Sequence, residues 1–179
     1  SEMLIRELAR LPGAMGKVLD ARDQVEEIAR QYYNLSDFLY LGRGIAYPAA
    51  LEGALKLKEV SYIHAEGYPA GEMKHGPIAL IDNMVPVVAV ALGQRSQDKI
   101  LGNIAEVKAR GAPVIVLGVE GDDELAAKAD HFISLPSLSP ILMPMVAALP
   151  LQLLAYYIGL LRGCDVDRPR NLAKSVTVE

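Results

Sequence analysis

The sequence predicts a three-layer α/β/α fold, a mainly parallel four- or five-stranded sheet flanked by helices, with a helical extension at the N-terminus and a polar tail at the C-terminus. Three observations carry this reading. Short, almost continuous apolar runs end near glycine or proline, as strands buried on both faces do. Stretches of helical spacing separate them, and two are long enough to serve as crossovers. Strand, helix, strand at this spacing implies right-handed βαβ units and helices on both sides of the sheet.

Taken in order, residues 3–33 place Val18, Leu19, Val25, Ile28 and Tyr32 at helical spacing, and Pro12-Gly13 interrupts them, which predicts two or three short helices. FLYLGRG at 38–44 reads as the first strand, followed by a helix over 46–65 and a glycine- and proline-bounded loop, EGYPAGEMKHGP, over 66–77. VPVVAVAL at 85–92, PVIVLGV at 113–119 and HFISLP at 131–136 are further strands, with helices over 95–110 and 122–129 between them. From Phe132 to Leu161 there is no Asp, Glu, Lys or Arg, a length that suffices on paper to cross a bilayer. Pro136, Pro140, Pro144 and Pro150 interrupt it, and each interior proline would leave a carbonyl unpaired in lipid, so the segment is expected to be a buried helix starting near Ile141, in the core or at a subunit interface. CDVDRPRNLAKSVTVE follows as a polar tail. The expected organisation is a helical segment over 1–34, one α/β domain over 35–163 and the tail over 164–179.

A chain of 179 residues, 51% hydrophobic and 22% charged, is large enough for one core and has an ordinary globular balance. Net charge −4 and a pI near 5.4 provide no broad basic face, so nucleic acid is not an expected partner and an anionic ligand needs a local site. Cys164, the single cysteine, has no internal disulfide partner, which fits a reducing cytoplasm. SEMLIRELARLPG lacks the basic-then-apolar order of a secretory signal. Neither a membrane span nor a metal or cofactor is expected.

Ligands of open parallel sheets gather at the carboxyl ends of the strands, and three places are expected there. In LGRG, Gly42 and Gly44 straddle Arg43, which suits either a plain tight turn or a close backbone approach to a ligand; Tyr47 stands where a dinucleotide fingerprint would have its third glycine. In ALGQRSQDKI, Ser96 and Gln97 at a helix N-terminus could hold a phosphate, but the stretch lacks a cluster of hydroxyls and Asp98 opposes an anion, so an ordinary loop is the favoured reading. The third place is the helix bearing Glu52, Lys56 and Glu59 on one face, together with the loop bearing Lys74 and His75. Such a stripe is either a solvated face or, with His75 aimed by Gly71, Gly76 and Pro77, a carboxylate, an amine and an imidazole suited to opening a sugar ring and moving a proton between adjacent carbons. His64 and His131 read as structural.

The runs ALEGALKLKEVSYIHAEGYPAGEMKHGPIALID and ALPLQLLAYYIGLL and the ending DVDRPRNLAKSVTVE resemble the C-terminal part of the glutamine:fructose-6-phosphate amidotransferase family across nearly the whole chain. The resemblance implies the second of two sugar isomerase (SIS) domains. It implies that Glu59 moves the proton between C1 and C2 of the sugar with Lys56 as its partner, that His75 opens the ring and reaches the site of a neighbouring subunit, and that Lys174 forms an imine with the ketose. Gly42, Arg43, Asn171 and Ala173 are expected to contact substrate. The implied partners are fructose 6-phosphate or glucosamine 6-phosphate, a second copy in a homodimer, and the first SIS and glutaminase domains of the full-length enzyme. Cys164 matches no nucleophile context. The chain is therefore expected to fold but to be inactive or nearly so alone. Two other readings stay open: a SIS module that senses sugar phosphate without turnover, and a stand-alone isomerase or deaminase, against which PRNLAKSVTVE argues.

Overall fold

A computed structural model describes residues 2–93 and 97–172. Two helices, α1 (Glu2–Asp20) and α2 (Arg22–Tyr32), lead into strand β1 (Asp37–Gly42), helix α3 (Ala46–Ser61) and strand β2 (His64–Pro69). Two 3-10 turns, Met73–His75 and Pro77–Leu80, precede β3 (Val87–Ala91), α4 (Gln97–Lys108), β4 (Val114–Val119), α5 (Asp123–Lys128), β5 (His131–Leu135) and α6 (Met143–Leu161). The strands form one five-stranded sheet in the order β2-β1-β3-β4-β5, and every pairing is parallel.

Strand periodicity divides the side chains between two cores. Phe38, Tyr40, Val88, Val90, Ile115 and Leu117 face α1, α2, α3 and α6, whereas Leu39, Leu41, Val87, Ala89, Val114 and Val116 face α4, α5 and the segment around Met73. The sheet is thus covered on both sides, which explains why its central strands read as continuous apolar runs. Helix α6 is long and apolar enough to cross a membrane by length and composition, yet Val146, Leu151, Leu154 and Ile158 are buried against the sheet and its neighbouring helices.

Three expectations need correction. Pro12 does not divide α1: Leu11, Ala14 and Val18 are buried on one helical face that runs through it, and the carbonyl that Pro12 releases belongs to Leu8, whose residue is exposed. The helix predicted to 65 stops at Ser61, because Tyr62 adopts φ 62 and ends it. The first part of the loop predicted over 66–77 belongs to edge strand β2, whose polar HAEGYP lacks the apolar run that marked the other strands.

At the amino-terminal edge, α2 is stapled to β5. The Tyr32 hydroxyl and His131 Nε2 are 2.9 Å apart, their rings meet edge to face, and Gln24 donates to the Phe132 carbonyl at 2.9 Å. Burial holds the imidazole of His131 below its ordinary range, against the opposing pull of Asp130. A lowered folded-state value means that the unfolded chain binds the extra proton, so this contribution is fully present above the ordinary histidine value of about 6.5 and is lost as pH falls from there through the lower folded-state value. The urea midpoint is expected to fall between pH 7 and pH 5, and His131→Gln to flatten that slope; an unchanged slope in the variant would remove His131 as its source.

Candidate active site

Gly42 ends β1 where the chain must turn at once into α3. A Cβ there would lie 2.6 Å from the Ala46 carbonyl oxygen and 2.7 Å from the Tyr47 Cα, both backbone atoms that cannot swing aside. Gly42→Ala is expected to cost about 2 kcal/mol or more through overpacking, read as a lower denaturation midpoint. Gly44 completes the turn at φ 54. Between them, Arg43 donates from Nε to the Oδ1 of buried Asn103 on α4 at 3.2 Å, and its guanidinium lies over Gly71. On the next loops, Gln97 Nε2 donates to both oxygens of Asp122, at 3.0 and 2.8 Å, while Asp122 caps α5 by accepting from the Leu125 amide.

These side chains border a cavity of about 1090 Å³ lined by Arg43, Gln97, Glu120 and Asp122 among others. It opens over the carboxyl ends of β1, β3 and β4, where the chain switches from one side of β1 to the other, the position at which open α/β sheets hold ligands. Ser96, expected at this place, lies outside the described residues.

Lys56 and Glu59 do not share that place. Because β1 and β2 are parallel, α3 must run back across the sheet, and its rise carries Glu59 about 20 Å away from Ala46. The pair therefore sits near the amino-terminal edge, a correction to the expectation that all three candidate places lie at the carboxyl ends. Lys56 Nζ donates to Glu59 Oε2 at 2.6 Å, and both side chains are about two-thirds shielded from solvent. That hydrogen bond holds the Lys56 ammonium above the ordinary lysine range, against a smaller opposing effect of burial. Around the pair the outer face is not simply solvated: Leu51 and Leu55 on α3 are exposed, as are Tyr156 and Leu160 on α6, and Gln152 of α6 donates to Glu52 at 3.3 Å.

His75 belongs to the carboxyl-edge side. The Ala70 amide donates to the Gly42 carbonyl at 2.9 Å, Met73 is fully buried in the second core, and Lys74 pairs with Glu106 of α4 at 2.8 Å. With its neighbours anchored, the His75 side chain projects outward, 74% exposed, 3.9 Å from Glu72 Oε2. Gly76, at φ 145, makes the turn that follows, and Pro77 starts the next one. The structure thus brings Arg43 near the His75 loop and Lys56 to Glu59, but it separates these two groups by the length of β2, roughly 17–20 Å. His64 lies on the edge strand between Asp37 and Glu66, and His131 is the α2 staple. Asn171 has φ 63; Ala173 and Lys174 lie outside the described residues.

Residues 32–162 match the SIS domain family description. The chain belongs to the SIS domain family. This SIS domain is 55% identical, over its full 179 residues, to the glutamine--fructose-6-phosphate aminotransferase [isomerizing] of Thermus thermophilus, and it spans 30% of that protein. It is 54% identical over 176 residues to the enzyme of the same name from Bacteroides thetaiotaomicron, covering 98% of the chain and 29% of the relative. Among solved structures, the C-terminal domain of glucosamine-fructose-6-phosphate aminotransferase from Francisella tularensis matches with a TM-score of 0.86 and 39% identity, over 91% of this chain and 46% of that one. The chain therefore spans about 30% of the length of the curated relatives it matches.

Sequence reasoning passed over Asn103, Asp122 as the partner of Gln97, and Tyr62. No local pattern marks Asn103, which acquires its partner only when α4 packs beneath the β1 turn; Tyr62 was signalled by a helix that gives way to a strand with no glycine between them. Glu59→Gln is expected to bring Lys56 back toward the ordinary lysine range, because its hydrogen-bonding partner loses its charge. The Lys56 side-chain NMR titration reads this, and an unmoved midpoint would mean that the pair does not form.

Proposed function

We propose that this SIS domain is the second sugar isomerase domain in the isomerase half of a glutamine--fructose-6-phosphate aminotransferase, and that it helps convert fructose 6-phosphate and ammonia into glucosamine 6-phosphate and water. The observation that carries the reading is the Lys56–Glu59 pair, about two-thirds shielded and flanked by exposed apolar side chains, which sets a carboxylate beside an ammonium where a sugar carbon can approach. Glu59 takes the proton from one of C1 and C2 and returns it to the other, with the Lys56 ammonium balancing its charge. Lys174 attacks the C2 carbonyl as an amine, and loss of the carbonyl oxygen as water gives an imine; ammonia then attacks that imine and displaces the lysine, leaving a C2 imine of ammonia whose neighbouring C1–H bond is acidified for Glu59. His75 transfers the proton that opens the sugar ring.

Because Glu59 and His75 stand at opposite ends of the sheet, one copy does not combine them, and the proposal includes a homodimer in which His75 comes from the neighbouring subunit. The remaining length of the relatives is proposed to supply a first SIS domain for the phosphate and a glutaminase domain for the ammonia, which leaves this segment inactive or nearly so alone. A cytoplasmic location is proposed with it. Arg43 and the cavity beside it support a second reading, a sugar-phosphate-binding module without turnover, since that cavity does not depend on Glu59.

The two readings part in one experiment on the complete polypeptide. Borohydride reduction in the presence of fructose 6-phosphate is expected to leave an adduct on Lys174, absent in Lys174→Ala. Glu59→Gln is expected to lower kcat by about 100-fold or more. Full turnover in either variant would sink the enzymatic reading, and binding that depends on Arg43 alone would favour the module.

A further inference from the structure

The C-terminal end of α3 carries an arrangement that the proposed chemistry has not used. Tyr62 caps the helix in the left-handed region, φ 62 and ψ 18, a conformation unfavourable for an aromatic residue, and such outliers cluster at functional places. Its ring is turned toward the C-terminal segment. The Arg170 amide donates to the Tyr62 hydroxyl at 2.8 Å, and the Arg170 guanidinium lies 4.1 Å over the ring centroid, within cation–π range.

The path that brings Arg170 there is built residue by residue. Gly163, at φ 71, turns the chain out of α6, and the Cys164 amide donates back to the Gly159 carbonyl at 2.9 Å. Gly159 has no room for a side chain: a Cβ would meet Val166 at 2.9 Å and the Val60 carbonyl at 3.1 Å, so the missing methyl lets the segment lie against both α6 and α3. Asp165 Oδ1 accepts from the amides of Asp167 and Arg168 at 3.1 and 3.0 Å, folding a tight turn. Arg162 fastens the base by donating to the Ser61 carbonyl at 3.1 Å and the Tyr33 carbonyl at 2.8 Å.

Chain geometry links this pin to the proposed site. Glu59 precedes Tyr62 by less than one helical turn, about 4.5 Å along the axis. Lys174 follows Arg170 by four residues in the chain. We infer that Tyr62 is a positioning residue: its hydroxyl and ring hold Arg170 at the end of α3 where Glu59 stands, and so fix the point of the chain from which Lys174 is tethered. This inference rests on the enzymatic reading proposed above, in which Lys174 is the imine-forming amine.

Tyr62→Gly is the informative variant, because glycine adopts the left-handed conformation without cost while removing ring and hydroxyl together, so the fold is kept. In the complete polypeptide, the variant is expected to keep its Tm and to exchange the amides of residues 165–172 faster. It is also expected to lose about tenfold or more in kcat and in the rate of borohydride trapping on Lys174, with KM for fructose 6-phosphate changed far less. Tyr62→Phe keeps the ring and loses the acceptor oxygen, so an intermediate loss is expected. If wild type forms the Lys174 adduct and Tyr62→Gly forms it equally fast, the positioning role is overturned and the enzymatic reading stands. Unchanged amide exchange overturns the pin itself. Absence of the adduct in wild type sinks the enzymatic reading and the role of Tyr62 with it.

Discussion

Two parallel strands cannot be joined by a tight turn, and most of this molecule follows from that constraint. Each strand must be followed by a segment that returns across the sheet, and for β1 and β2 that segment is α3. A return helix has one end at the carboxyl edge and the other at the amino edge. Residues at its start therefore serve the cavity over the strand ends, and residues near its end serve a different face of the domain. Ala46 and Glu59 are in one helix and in two different environments for this reason alone.

Close helix packing sets how rigidly α3 holds its outward side chains. Gly53 lets α3 settle on the Tyr40 ring, where a Cβ would lie 2.8 Å away, and Gly159 lets α6 approach Val60 at the other end of the same helix. Between these points Ala50, Ala54 and Leu57 are buried, so the opposite face, with Leu55, Lys56 and Glu59, is presented on a scaffold that has little freedom to rotate. The apolar residues that remain exposed beside the pair give it neighbours of low polarity on the surface.

The carboxyl edge is organised differently, by polar contacts between loops. Arg43 reaches across to Asn103, Gln97 reaches to Asp122, and the His75 segment is moored by Met73 and by Lys74 with Glu106. Each contact joins residues from separate strand–helix units, so the cavity is a product of how the units are juxtaposed. His75 emerges from this edge with its neighbours anchored and its own ring exposed.

The central strands, the crossover helices and the apolar final helix were legible in the sequence, because burial on both faces writes continuous apolar runs that need no knowledge of neighbours. Edge strand β2 was not, since a strand at the border pairs on one side only and tolerates HAEGYP; nor was the survival of α1 through Pro12, which depends on burial of Leu11, Ala14 and Val18. Of the candidate site, the pairing of Lys56 with Glu59 was readable from helical spacing, as a local relation within one element. The distance between that pair and His75, the partners of Arg43, and the capture of Arg170 by Tyr62 were decided only by tertiary structure. They join residues far apart in the chain, and sequence spacing carries no information about which loops the sheet order will bring together.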